Sequence, residues 1–347
     1  MKLLVCAMET SSNIHLAELK KYLNDDIELF GIFDKKLGNP NYDIEQLAIM
    51  GFVDAIRRLP FFFKLKSEMV ELAKDADKVL LMDSSGFNLP LSKSIKKKYP
   101  NKEIIYYILP QAWAWKKGRI PKIEKYCDKL CSILPFEKDY YSQKDKISYV
   151  GHPLLDEIKE YKTEISTSNK IAFMPGSRKN EIINLMPIFK ELIKSIPNKE
   201  YVLIIPAKFD DDYIKNLYGD ISEFTISRNA QETLKLCDYA FICSGTATLE
   251  AAIIGTPFTL SYIAKKVDYF IGSRLVKLPA VGLANIFFYK MGKGLIHSEF
   301  LQENVTVENL LNDYKKMDTT KFLKNSQTLR EYLKSGSSKN VAHIIQN

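Results

Sequence analysis

Asp83 closes an apolar run, Val79-Leu80-Leu81-Met82, and Ser84-Ser85-Gly86-Phe87-Asn88 follow it. A carboxylate at the C-terminal end of a parallel strand faces the ligand side of its sheet, where it can take a proton as a general base. The same position also suits an Asp that caps the next helix, and spacing does not separate the two. Arg178 holds a comparable place after Phe173-Met174-Pro175-Gly176-Ser177, with Glu181 shortly beyond. Gly176 and Ser177 allow a tight strand-to-helix turn, so Arg178 either meets an anion at a helix start or pairs with Glu181 at the surface. A further turn, Ser244-Gly245-Thr246, follows the apolar run 239–243 and opens a helix of small residues that Gly255 and Pro257 end. Free backbone N–H groups at such a turn favour an anion. Glu250, about one and a half turns along, is placed to accept two hydrogen bonds from a ribose diol. The plainer alternative is an ordinary strand–turn–helix unit with a surface glutamate. Together the turns at 175–178 and 244–246 suit a diphosphate.

Positioning such turns requires strands. Short apolar runs at 2–8, 27–33, 78–83, 103–109, 130–134, 170–174, 201–206, 239–243 and 258–263 alternate with longer helical patterns. That alternation predicts βα units, an α/β fold with mainly parallel sheets. The polar stretch 156–169 precedes a fresh strand and marks a boundary. The expected organisation is a Rossmann-like domain over 1–160, a second over 161–310, and helices over 311–347 that pack back across both. Two such halves would place a ligand cleft between the C-terminal ends of their sheets. The chain has 347 residues, enough for two cores, and 46% hydrophobic with 27% charged residues excludes a disordered polymer. Its net charge of +8 suits nucleotides, phosphorylated lipids or an acidic membrane surface.

Several chemistries are disfavoured. The first turn reads Glu9-Thr10-Ser11-Ser12-Asn13, without the glycines of a nicotinamide fingerprint, and Gly292-Lys293-Gly294 is not a phosphate loop of the Walker type. No zinc spacing, recognition-helix pattern or RNA-binding aromatic motif points to nucleic acid. Asp210-Asp211-Asp212 reads as an acidic helix start, not a metal cluster. Cys6, Cys127, Cys131, Cys237 and Cys243 read as reduced core thiols of a cytosolic protein. The N-terminal residues lack a signal-peptide core, and no apolar run is long enough to span a bilayer. His152 reads as structural, and Trp113 and Trp115 as packing residues, with a sugar or acyl contact as the alternative.

Residues 49–66 are more apolar than one helix face needs. Phe52, Val53, Ile56, Leu59, Phe62 and Phe63 lie among Arg57, Arg58, Lys64 and Lys66. They fit a monotopic membrane contact, with cations on lipid phosphates, or else a buried helix with snorkelling lysines. Pro60 suits two short helices better than one.

Taken together, these segments resemble the lipid-A-disaccharide synthase family, inverting glycosyltransferases of the GT-B fold. The matching residues run through most of the chain: Glu9-Thr10-Ser11, Met50-Gly51, Asp83 with Phe87-Asn88, Trp113-Ala114-Trp115 and Leu134-Pro135-Phe136-Glu137. They continue with Val150-Gly151-His152-Pro153-Leu154, Pro175-Gly176-Ser177-Arg178 with Glu181, Ser244-Gly245-Thr246-Ala247 with Leu249-Glu250, and Asn285. The resemblance implies UDP-2,3-diacylglucosamine as donor and 2,3-diacylglucosamine 1-phosphate as acceptor, with a β-1,6-linked disaccharide and UDP as products. It implies that Asp83 and Arg178 are essential and that Asn285 serves the nucleotide side. Glu9, Ser11 and Asn88 fall on the acceptor side. It further implies no metal or other cofactor, peripheral association with the inner membrane through 52–65, and a homodimer.

Three positions depart from the family pattern. Its Ser-Gly-Asp is Ser11-Ser12-Asn13 here, a second Asp is Gly86, and its Leu-Pro-Asn is Leu283-Ala284-Asn285. A two-carboxylate mechanism therefore cannot run through position 86. The expected mechanism is one inverting displacement, with Asp83 as base and Arg178 and the 244–246 turn receiving the charge on UDP. The competing readings are a UDP-sugar epimerase, a transferase with a soluble acceptor, and a non-catalytic lipid- or nucleotide-binding protein.

Overall fold

The apolar runs become the inner strands of two parallel sheets in a computed structural model that describes residues 1–49, 59–165, 167–264 and 280–347. In the first sheet, β1 (Lys2–Ala7), β2 (Glu28–Phe33), β3 (Tyr42–Asp43), β4 (Lys78–Met82), β5 (Glu103–Tyr107), β6 (Lys129–Ser132) and β7 (Ile147–Tyr149) lie in the order β3-β2-β1-β4-β5-β6-β7. In the second, β8 (Lys170–Met174), β9 (Glu200–Ile204), β10 (Thr225–Ser227), β11 (Tyr239–Cys243), β12 (Phe258–Tyr262) and β13 (Ser298–Leu301) lie in the order β10-β9-β8-β11-β12-β13. Every recorded pairing is parallel, for example Leu3 beside Lys78 and Tyr239 beside Ile171. Each chain half starts in mid-sheet, winds outward, then returns to wind the other way. The reversals fall between β1 and β4 and between β8 and β11, where such sheets leave a crevice at their C-terminal ends.

The strands that the apolar pattern missed are β3, β7, β10 and β13, the edges of the two sheets. An edge strand has one neighbour and open flanks, so it needs no continuous apolar run. In β10, Thr225 is exposed and Ile226 is 48% exposed.

Strand alternation divides the first domain's core. Leu4, Cys6, Val79, Leu81, Ile104 and Tyr106 point to one face, under Leu65, Met69, Phe87, Leu91 and Ile95. Leu3, Val5, Leu80, Met82, Ile105 and Tyr107 point to the other, under Leu16, Leu19, Val341, Ala342 and Ile345. The last three belong to the helix Ser337–Gln346, so the chain end is part of this domain's core. Tyr107 Oη lies 2.8 Å from Ser337 Oγ, and Asn340 Nδ2 donates to the Val150 carbonyl at 3.0 Å. The compact units are accordingly 1–157 with 333–347, and 158–332. The stretch 311–347 is thereby shared out, its helix Thr319–Leu333 falling almost wholly in the second unit. That unit packs Phe173 flat on Phe241 and edge-on to Phe189, each at 5.3 Å between ring centres.

All five cysteines are free and buried, and burial pushes Cys127, Cys131, Cys237 and Cys243 up to about 12. His152 is buried and neutral, its pKa pushed down to about 3 by desolvation, and its Nδ1 accepts from Leu154 N. Trp113 is buried edge-on against Phe136 at 4.8 Å, a packing role. Asp210 Oδ1 accepts from Tyr213 N at 2.7 Å and caps the helix Asp211–Tyr218, as its place in the sequence suggested. Among the described residues no helix is long and apolar enough to cross a membrane.

Candidate active site

The turn after β4 carries Asp83 and Ser84, both in the left-handed region at φ of 48° and 38°. Neither is glycine; each such residue costs about 1–3 kcal/mol and persists only where its surroundings hold it. Here they do. Tyr106 Oη donates to the Asp83 carbonyl at 2.6 Å, and Asp83 N donates to the Tyr107 carbonyl at 3.2 Å. Asn88 Nδ2 donates to the carbonyls of Met82 and Asp83, both at 3.0 Å. Asn88 is fully buried. It therefore braces the turn from below, where the sequence had placed it on the acceptor side.

The adjacent turn after β1 is braced in the same way. Asn13 Nδ2 donates to the carbonyls of Ala7 and Glu9 at 2.8 Å, while its Oδ1 accepts from Asp34 N at 2.7 Å. The departure at position 13 thus has a structural use: only an amide can donate to two carbonyls and accept a third bond. Glu9 and Ser11 are exposed, and Ser84 Oγ donates to Glu9 Oε1 at 2.9 Å, so Glu9 and Asp83 share one crevice. Burial, reinforced by the Glu9 charge, pushes the Asp83 carboxyl up to about 6. His15 opposes this in part, and its Nδ1 is in hydrogen-bond contact with Glu157 Oε1. A carboxylate near 6 is ionised at neutral pH and still basic enough to take a proton.

The second domain's turns differ. Gly176 has φ of 106°, and a Cβ there would lie 2.4 Å from Glu181 Oε2. That oxygen accepts from the backbone N–H groups of Ser177 and Arg178, each at 3.1 Å, while Glu181 Oε1 accepts from Arg178 Nη1 at 3.0 Å. The pairing foreseen for Arg178 is present. Its side chain is nonetheless 79% exposed, anchored at one nitrogen with the rest of the guanidinium open. Opposite stands the N-terminus of the helix Thr246–Ile254, whose first N–H groups have no intrahelical acceptors.

Between them lies a cavity of about 380 Å³ whose walls include Gly176, Ser177, Arg178, Ser244, Gly245 and Thr246. Pro175, Glu250 and Asn285 are not among its lining residues. Asn285 is fully buried beside β13, its Oδ1 accepting from Ile296 N and its Nδ2 donating to Glu299 Oε1, both at 2.8 Å.

Sequence reasoning missed Arg228, which lines the same cavity after the edge strand β10. Its Nη1 donates to the carbonyls of Pro206 and Phe209 at 2.8 Å. The signal was a cation directly after Thr225-Ile226-Ser227, unread because the strand itself was unread. Of the membrane candidates, Phe52, Val53, Ile56, Arg57 and Arg58 lie outside the described residues, as does the side chain of Leu59. Phe62 packs edge-on against Phe87 at 4.9 Å, whereas Phe63 is 56% exposed with Lys66 Nζ 5.0 Å above its ring.

Known proteins match this chain along its length. A family model described as lipid-A-disaccharide synthetase covers residues 3–344. A lipid-A-disaccharide synthase from Helicobacter pylori (strain G27) is 50% identical over 353 residues, covering 98% of this chain and 97% of its own. Among solved structures, a UDP-GlcNAc 2-epimerase from Neisseria meningitidis, bound to UDP-GlcNAc, aligns with a TM-score of 0.61 at 12% identity over 100% of both chains. A calicheamicin glycosyltransferase aligns with a TM-score of 0.61 at 11% identity over 99% of this chain and 97% of its own. At such identities the two structures establish the shared GT-B fold alone.

Proposed function

This chain belongs to the lipid-A-disaccharide synthase family, and from that premise we propose how its two kinds of turn divide the reaction. The enzyme is a glycosyltransferase that condenses UDP-2,3-diacylglucosamine with 2,3-diacylglucosamine 1-phosphate, yielding the β-1,6-linked disaccharide 1-phosphate and UDP. Asp83 accepts the proton of the acceptor's 6-hydroxyl while that oxygen attacks the donor's anomeric carbon. The bond from that carbon to UDP breaks in the same step, which inverts the centre. Negative charge grows on the departing diphosphate. It is met by Arg178 and by the N–H groups at the start of the helix Thr246–Ile254, dipoles already aimed before reaction begins.

The observation that carries this reading is the Asp83 carboxyl, held at a strand tip and pushed up to about 6 by burial and the charge of Glu9. Glu9 and Ser11 border the acceptor sugar. Asn88 and Asn285 serve from beneath, one bracing Asp83 and the other fixing the helix Leu283–Lys290 against β13. Glu250 remains the candidate for the ribose diol. An assay with both acylated sugars, following UDP release and disaccharide formation, tests the assignment. Disaccharide formation by the wild type with near-normal turnover in a folded Asp83→Asn variant would remove Asp83 from the mechanism.

The diacylated substrates reside in a membrane, so the enzyme works as a peripheral protein on the inner-membrane surface and, by its family, as a homodimer. Exposed Phe63, flanked by Lys64 and Lys66, supports the lipid contact. Flotation with anionic vesicles that Phe63→Ser abolishes is the expected result. Unaltered flotation would move the contact elsewhere.

A further inference from the structure

Glu181 is buried in the wall of the cavity that the turns at 175–178 and 244–246 share. By charge alone, a carboxylate is out of place where an anion is to be received. Its two oxygens have different partners. Oε2 accepts from the backbone N–H groups of Ser177 and Arg178, both at 3.1 Å, and so completes the backbone cap of the helix Lys179–Lys194 by itself. Oε1 is not needed for that cap. It accepts from Arg178 Nη1 at 3.0 Å.

The pair is rigid at one end and loose at the other. Ile182 and Leu185 are fully buried and tie the first turns of the helix to the core. Gly176 leaves room for the carboxylate, since a Cβ there would stand 2.4 Å from Oε2 and 2.8 Å from Glu181 Cβ. The same Cβ would lie 3.1 Å from Cys243 Sγ, so Glu181 sits close to the strand tip that leads into Ser244. Arg178, by contrast, has a side chain 79% exposed. An exposed arginine samples many rotamers, and holding it in one of them costs conformational entropy. The bond to Oε1 fixes Nη1 and leaves Nε and Nη2 with no partner among the described residues.

We propose that Glu181 is the positioning residue for Arg178: Oε1 holds the guanidinium at the cavity wall, with its remaining N–H groups ready for the departing diphosphate. The inference rests on the glycosyltransferase reading above and deepens its donor side. Pairing with Glu181 and meeting an anion are then one arrangement, because a guanidinium has five N–H donors and Glu181 engages one of them.

Glu181→Gln separates the cap from the arginine. One amide oxygen can still accept from both backbone N–H groups, as Oε2 does, whereas the amide nitrogen is a donor and cannot receive Arg178 Nη1. With the full chain and both acylated sugars saturating, Glu181→Gln should keep the wild-type thermal midpoint and lose about tenfold in kcat. In an Arg178→Ala background the same change should cost nothing further, because the residue through which it acts is gone. A merely structural cap would lower kcat by the same factor in both backgrounds. That outcome overturns the proposal, as does full turnover in Glu181→Gln. If the glutamine variant does not fold, Glu181→Asp carries the same cycle, since it keeps the charge and shortens the reach. A loss confined to the background with Arg178 is expected, and an equal loss in both, or none, refutes the role. Full turnover in Arg178→Ala refutes the roles of both residues. A wild type that forms no disaccharide refutes the reading of function itself, whereas an active wild type with equal losses in the two backgrounds refutes only the role of Glu181.

Discussion

The turn after β4 and the turn after β8 each border the strand-order reversal of their own parallel sheet, yet they are built from opposite materials. After β8, Gly176 takes the left-handed conformation, and Glu181 gathers the neighbouring N–H groups and the arginine. After β4 there is no glycine where the chain turns left-handed. Asp83 and Ser84 are forced there and held by Tyr106 and the buried Asn88 amide. In the proposed mechanism the donor side needs dipoles for an anion, which relaxed backbone supplies cheaply. The acceptor side needs a side chain at the strand tip whose carboxylate is uncomfortable when ionised. Between these two turns, strain and desolvation fall on the one after β4, at the residue proposed to move the proton.

Replacing Asp83 is the sharpest way to break this contrast. Asp83→Asn should lower kcat by about 10³-fold, within the range for a lost general base. It should also stabilise the protein. Asp83 titrates near 6 in the fold against an ordinary 3.8. Its stability contribution is thus complete below about pH 4 and is lost as pH rises through 6. At pH 7.5 the neutral amide should gain on the order of 2–3 kcal/mol in denaturant unfolding. Lower turnover without added stability would mean that the carboxylate is not held under strain.

Arg178→Ala should cost about 10²-fold in kcat, as for other lost donors to a developing anion. It should leave stability nearly unchanged, since the side chain is mostly exposed. A loss confined to donor KM would place Arg178 in binding alone.

The glycine comparison can be reversed by substitution. Gly176→Ala puts a Cβ against the Glu181 carboxylate at positive φ and should destabilise by about 2–4 kcal/mol. Ser84→Gly relieves a left-handed serine and gives up only the bond to Glu9, so a change of about 1 kcal/mol or less in the stabilising direction is expected. Thermal unfolding of both variants would show whether the two turns differ in strain as described.

Much of this asymmetry was legible before the fold was known. The inner strands stood out because strands buried on both faces are continuous apolar runs. The turns at Asp83, Pro175–Arg178 and Ser244–Thr246 followed from where those runs ended. The edge strands were not legible, and Arg228 was lost with β10. The contacts of Arg119 with Ser85 and of His15 with Glu157 join residues far apart in the chain, so no local spacing announces them. Position 13 shows the same limit from another side. Set against the family pattern, Asn13 looked like a missing carboxylate, and only the carbonyls of Ala7 and Glu9 explain the amide.

The central claim is that Asp83 acts as a base whose pKa is raised in part by Glu9. Its most direct test is the pH dependence of kcat in the wild type and in Glu9→Gln. The wild type should lose activity on the acid side with a midpoint near pH 6, and Glu9→Gln should move that midpoint to lower pH because the repelling charge is gone. Ionisation of the acceptor's phosphate would give an acid limb that does not respond to position 9. A midpoint unmoved by Glu9→Gln, or activity flat from pH 5 to 8, would contradict the account.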